Sequence, residues 1–265
     1  MLTDAARSQG ATSKKLSIAY LIVPAFMMFS GLPVKGQHQG DLWVGQAEGR
    51  VALSRVSFDP DRAFHELLPA DGPVVFGWSD NEPGFEAVEA GADPLVGTLL
   101  DGVQIWLVVV SVEPALRVID NGFNVLDMPG QMTLLGGHHL HIHVTWNIDD
   151  LAPGFDPEKC LWFGTFVLRD LGGTFLQDSL PFTIGFSTVP LKDADGDFDW
   201  DRDADHDDTL AFPVCISGPG VFPEPNDSEV TTCVVDCFNA FDFEPDRDID
   251  LRDFAKYQNE FTGSQ

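Results

Sequence analysis

The sequence predicts a mainly β protein: an antiparallel β-sandwich of jelly-roll or immunoglobulin-like type, followed by a small α-helical module. Three observations carry this. The apolar segments of residues 41–189 are short and bounded by turn residues. None of them sustains a 3.6-residue apolar period. Near the C-terminus an acidic pattern recurs at a constant offset of 45 residues.

Residues 1–36 read as a signal peptide. Lys14 and Lys15 precede an apolar run over residues 16–32 that Pro24 interrupts, which is marginal for spanning a bilayer. Val34 and Gly36 satisfy the small-residue rule for cleavage after Gly36, and the alternative is an uncleaved anchor. No second apolar span follows, so the expected location is secreted or cell surface, with no membrane span after signal cleavage. A net charge of −27 and a pI near 4.2 argue against nucleic acid and anionic membrane as partners.

Residues 41–189 are enough for one domain with its own core. The strand candidates include LWVG, VALSRVSF, GVQIWLVVVSV, LHIHVTWNI, CLWFGTFVLRDL and PFTIGFSTV, separated by turn signals such as DNEPGF, DNGF and APGFDP. Trp106, inside the run QIWLVVV, reads as core. Residues 190–196 form a linker to the module at 197–265.

The strand GGHHLHIHVTW carries four of the seven histidines. On an extended strand His139, His141 and His143 share one face, while Leu140, Ile142 and Val144 share the other and face the core. Neighbouring imidazoles of that face can chelate one ion, whereas residues i and i+4 are about 13 Å apart. A transition-metal site would therefore use His139 with His141, or His141 with His143, plus ligands from elsewhere; His65, His138 and Glu66 are candidates. Zinc, copper and nickel suit such a set. The alternatives are a solvent-facing strand that uses histidine as its polar residue, and a catalytic histidine.

In the acidic repeat, Asp197, Asp199, Asp201, Asp203, Asp205 and Asp208 recur as Asp242, Glu244, Asp246, Asp248, Asp250 and Asp253. Side-chain oxygens fall at positions 1, 3, 5, 9 and 12 of a twelve-residue loop in each copy, the spacing that wraps oxygen ligands around one calcium ion. The match continues past the ligands: Arg202 with Arg247, Phe212 with Tyr257, Ile216 with Phe261. Such rows of carboxylate repel one another unless a cation neutralises them, so two calcium ions are expected as folding cofactors. Four cysteines in an exported chain point to disulfides. Cys215 is expected to bridge to Cys237, with Cys233 the competing partner and Cys160 alone in the preceding domain.

The two runs DFDWDRDADHDD and DFEPDRDIDLRDF resemble the duplicated calcium loops of the dockerin type I family, over residues 193–265. The resemblance implies a dockerin/EF-hand-like module that attaches the chain to a cohesin-like or cell-surface protein. Three departures stand out: Arg202 and Arg247 replace the usual Gly at position 6, Pro213 falls in the helix after the first loop and should shorten or kink it, and the link between copies is long. The β part also resembles exported proteins of unassigned function, through Asp41-Leu42-Trp43-Val44, Pro83-Gly84-Phe85, His139-Leu140-His141 and Ser179-Leu180-Pro181-Phe182. Some of those relatives look linked to zinc supply.

Catalytic patterns are missing: there is no Gly-x-Ser-x-Gly elbow, phosphate-binding glycine loop or His-Glu-x-x-His. The expected function is thus non-enzymatic, an exported calcium-binding protein whose β-sandwich binds a transition metal. Two other readings stay open. One is a carbohydrate-binding module in a polysaccharide-degrading system, with Trp78 the best exposed aromatic among Trp43, Trp78, Trp106, Trp146 and Trp162. The other is a metal-dependent enzyme.

Overall fold

The computed structural model describes residues 40–70, 72, 75–225, 230–231 and 233–261. The expected signal peptide lies outside the described residues. Among the described residues no helix is long and apolar enough to cross a membrane.

Among the described residues the chain is mainly β, with fourteen strands before three short helices. The strands are β1 (Leu42–Ala47), β2 (Arg50–Ser54), β3 (Phe64–Glu66), β4 (Leu68–Pro69), β5 (Trp78–Asp80), β6 (Phe85–Ala87), β7 (Ile105–Val112), β8 (Leu116–Ile119), β9 (Val125–Leu126), β10 (Met132–Gly136), β11 (His141–Ile142), β12 (Thr145–Ile148), β13 (Leu161–Asp170) and β14 (Phe182–Ser187). They form three sheets, in the orders β11-β6-β1-β2, β10-β7-β13-β14-β3 and β4-β5-β12-β8-β9. Among the described strands the pairing is antiparallel except for β1 with β6 and β14 with β3, so two of the sheets are mixed. Both parallel pairs join segments distant in sequence, where no turn signal announces them.

The β1–β2 hairpin shows how local sequence shapes the sheet. Glu48 and Gly49 both have positive φ, 52° and 76°, the twist that a two-residue connection needs. Trp146 holds the core together: from β12 it packs against Phe85 of β6 at 6.1 Å, Phe166 of β13 at 5.5 Å and Phe186 of β14 at 4.9 Å. All three sheets thus bury side chains in one cluster, with Leu42, Ile105, Leu107 and Ile148. Trp106 departs from expectation. It points away from the side taken by buried Ile105 and Leu107, because β7 alternates its faces, and it is only half-buried.

The helices are α1 (His206–Cys215), α2 (Val234–Phe241) and α3 (Leu251–Glu260). Pro213 lies inside α1, which stops two residues later. Cys215 bonds to Cys237, and Cys160, which had no partner in the sequence reading, bonds to Cys233. The second bond ties the start of α2 to the residue before β13. Around it Phe64, Phe163, Phe222 and Phe238 pack edge to face or tilted, with centroids 5.2–6.4 Å apart. The connection over residues 190–196 runs along this contact: Glu66 accepts the N–H of Leu191 at 3.0 Å, and Asn239 accepts that of Lys192 at 3.0 Å.

Candidate metal-binding sites

The two acidic loops have the same internal scaffold. Position 1 accepts the N–H groups of positions 5 and 6: Asp197 from Asp201 and Arg202 at 3.1 Å each, Asp242 from Asp246 and Arg247 at 3.2 Å each. Position 9 is the helix N-cap and position 12 answers it in a capping box, Asp205 with Asp208 for α1 and Asp250 with Asp253 for α3. The carboxylates spaced for an ion therefore also start the helices. Arg202 and Arg247 take φ of 80° and 65°, so the left-handed turn normally assigned to Gly at position 6 is present in both copies despite the side chain.

Ligand atoms of Asp197, Asp199 and Asp208 lie within 4.8 Å of one another, as do those of Asp203, Asp205 and Asp208, and of Asp248, Asp250 and Asp253. Oxygens across a calcium ion are up to about 5 Å apart, so these separations suit that ion. Asp201, Asp242, Glu244 and Asp246 fall outside the triplets among the described residues. Glu244 instead pairs with Lys256 at 3.3 Å. Asp203 Oδ1 is buried with no hydrogen-bond partner, an atom for which a cation is a natural neighbour. The oxygen-only donor sets fit a hard cation.

Electrostatics point the same way. Burial raises Asp242 to about 6, with Asp253 and Asp246 adding like-charge repulsion against the lowering effect of the N–H groups of Asp246 and Arg247. Burial also comes first in raising Asp248 and Asp253, and Asp199 and Asp203 are raised too, with neighbouring aspartates contributing. Burial lowers Arg247 to about 10.

The histidines divide. His139 is not on a strand: it sits in the turn closed by the Leu140 N–H to Gly137 carbonyl bond, its ring tilted against that of His138 with centroids 3.9 Å apart. The sequence reading extended β11 too far back across that turn. His138 faces Asp101 at 3.6 Å, and His65 faces Asp80 at 3.1 Å. Glu66, spent on Leu191, also stays apart.

His141 and His143 do come together, with Nε2 atoms 3.2 Å apart. Their other ring nitrogens face acceptors: His141 Nδ1 lies 3.4 Å from Glu86 Oε1, and His143 Nδ1 lies 3.3 Å from both Glu82 Oε1 and the Asn81 carbonyl. Asp41, fully buried before β1, completes a group whose ligand atoms lie within 4.8 Å. The sheet order explains the meeting, since β6 lies between β11 and β1, with Glu86 opposite His141 and Phe85 opposite Leu42. Asp41 Oδ1 accepts the Gly84 N–H at 2.9 Å, while Oδ2 is buried and meets no N–H donor. Burial, and then the contact with Asp41, raise Glu82 above the ordinary glutamate range.

Asp41, Glu82 and Glu86 escaped sequence reasoning about the site, although Asp41 and Gly84 belong to segments already noted for their resemblance. As for an aromatic platform, Trp78 is half-buried and stacks on Phe155 at 5.9 Å, which itself stacks on Trp162 at 5.7 Å. No family model matches the sequence, and no curated protein or solved structure matches it either.

Proposed function

We propose that this is an exported, non-catalytic protein whose residues 197–265 form a calcium-folded, dockerin-like attachment module, carried on a β part of sandwich type. The observation that supports this best is the identical scaffold of the two loops: a position-1 aspartate gathering the N–H groups of positions 5 and 6, and a position-9 aspartate capping the helix that follows. Asp197, Asp199, Asp203, Asp205 and Asp208, two triplets that share Asp208, would hold one calcium ion, and Asp248, Asp250 and Asp253, with Asp242 at position 1, would hold the second. When bound, the ion supplies the positive charge that lets these carboxylates stay ionised side by side.

The loops differ in setting. The second packs toward the β part through Arg247, while Asp199, Asp201 and Arg202 of the first are exposed. The outward surface includes Leu210 and Leu251, exposed by 62% and 73%. A cohesin-like or cell-surface protein is the partner this reading assigns to it. The test is attachment of purified, calcium-loaded protein to the surface of the producing cells. An Asp197→Lys and Asp242→Lys double variant should lose attachment, and undiminished attachment would refute the assignment.

A further inference from the structure

We propose that Asp41, His141 and His143 form a second kind of metal site, one for a divalent transition ion of the zinc or copper class, separate from the acidic loops. Three segments distant in the chain supply it: residue 41 ahead of β1, residues 81–86 leading into β6, and residues 141–143 at β11.

The spacing of the imidazoles is the first ground. Two imidazole nitrogens bound tetrahedrally to one ion, at about 2.0–2.1 Å each, stand about 3.3 Å apart. The Nε2 atoms of His141 and His143 are 3.2 Å apart. Each ring has an oxygen acceptor at Nδ1, Glu86 for His141 and Glu82 with the Asn81 carbonyl for His143. Such outer partners hold the proton on Nδ1 and leave Nε2 as the electron-pair donor, the usual arrangement around metal-binding histidines.

The second ground is Asp41. Its side chain is fully buried, one oxygen is engaged by the Gly84 N–H, the other meets no N–H donor, and the Glu82 carboxyl lies against it. Two carboxyls packed together at a buried position repel each other, and a cation shared with the two imidazoles removes that cost.

Gly84 is the third. A Cβ there would lie 2.6 Å from His143 Nδ1 and 2.9 Å from Asp41 Oδ1, so the close approach of ring and carboxylate depends on a residue without one. The donor set chooses the ion class. Two nitrogens and one oxygen suit zinc or copper, whereas calcium prefers six or more oxygens, as the acidic loops offer. Three protein ligands leave a fourth position for water or for a ligand atom from outside.

The full chain, saturated with calcium so that the acidic loops are filled, is titrated with cobalt(II), whose visible absorption reports tetrahedral coordination; zinc is then added as competitor. The expected result is one equivalent of tetrahedral cobalt displaced by zinc. His141→Ala and Asp41→Asn should each weaken binding by more than about tenfold, and Glu86→Gln by about tenfold through the lost outer partner. His139→Ala and His65→Ala should bind like the parent chain. His141 is partly exposed, so its replacement spares the core, and circular dichroism confirms the fold of each variant. Cobalt that calcium displaces, affinity unchanged in both His141→Ala and Asp41→Asn, or no saturable binding would each overturn the site. In the last case a hydrogen bond between the two imidazoles accounts for their approach.

Discussion

Arg247 lays its guanidinium carbon 4.1 Å from the centre of the Phe64 ring and donates a hydrogen bond to the Ala63 carbonyl. Arg247 is position 6 of the second acidic loop, and Phe64 opens β3. The loop that would hold calcium is thereby fastened to the β part. The matching residue of the first loop, Arg202, is exposed.

Arg247→Ala removes the ring contact and the hydrogen bond, and should cost about 1–3 kcal/mol of stability. Arg202→Ala should change it by less than about 0.5 kcal/mol. Thermal unfolding followed by circular dichroism compares the two. Equal losses would mean that the contact with Phe64 contributes nothing.

The left-handed backbone at Arg202 carries a strain of about 1–2 kcal/mol that glycine does not. Arg202→Gly should therefore stabilise the first loop by about 1 kcal/mol and tighten its calcium binding about fivefold. Calorimetry on this variant and the parent measures the difference. In the second loop the same change also removes the Phe64 contact, so the gain there should be smaller or reversed.

Burial holds Asp242 at about 6 in the folded chain, while an aspartate in an unfolded chain titrates near 4. The folded form thus keeps a proton that the unfolded form has released. For the calcium-free chain this favours folding at acid pH, and the preference is lost as pH rises from about 4 through 6. Calcium competes with that proton, so binding should weaken below pH 6 and release protons there. Titrations at pH 5 and pH 7.5 read this as a drop in affinity at the lower pH; equal affinities would exclude Asp242 from the binding equilibrium.

Much of this was legible in the sequence because it is local. The loops repeat at a fixed offset, and the capping aspartates sit beside the helices they start. Short apolar segments between turns announced the strands. What escaped depends on long-range pairing. Asp41 and Glu86 meet His141 only because β6 pairs with both β1 and β11. Cys160 finds Cys233 across 73 residues for the same kind of reason. His139 was misplaced because alternation continues on paper through the Gly137–Leu140 turn, where the chain actually reverses. Trp106 shows the limit of an apolar run: on an alternating strand half of it faces outward.

The central claim, a calcium-folded module, is tested most directly by calorimetric titration of calcium into the calcium-free, disulfide-bonded full chain, with circular dichroism before and after. The account predicts two saturable sites, a gain of helical signal, and loss of both in the Asp197→Lys and Asp242→Lys double variant. Absence of saturable binding, or a titration that the double variant leaves unchanged, would contradict it.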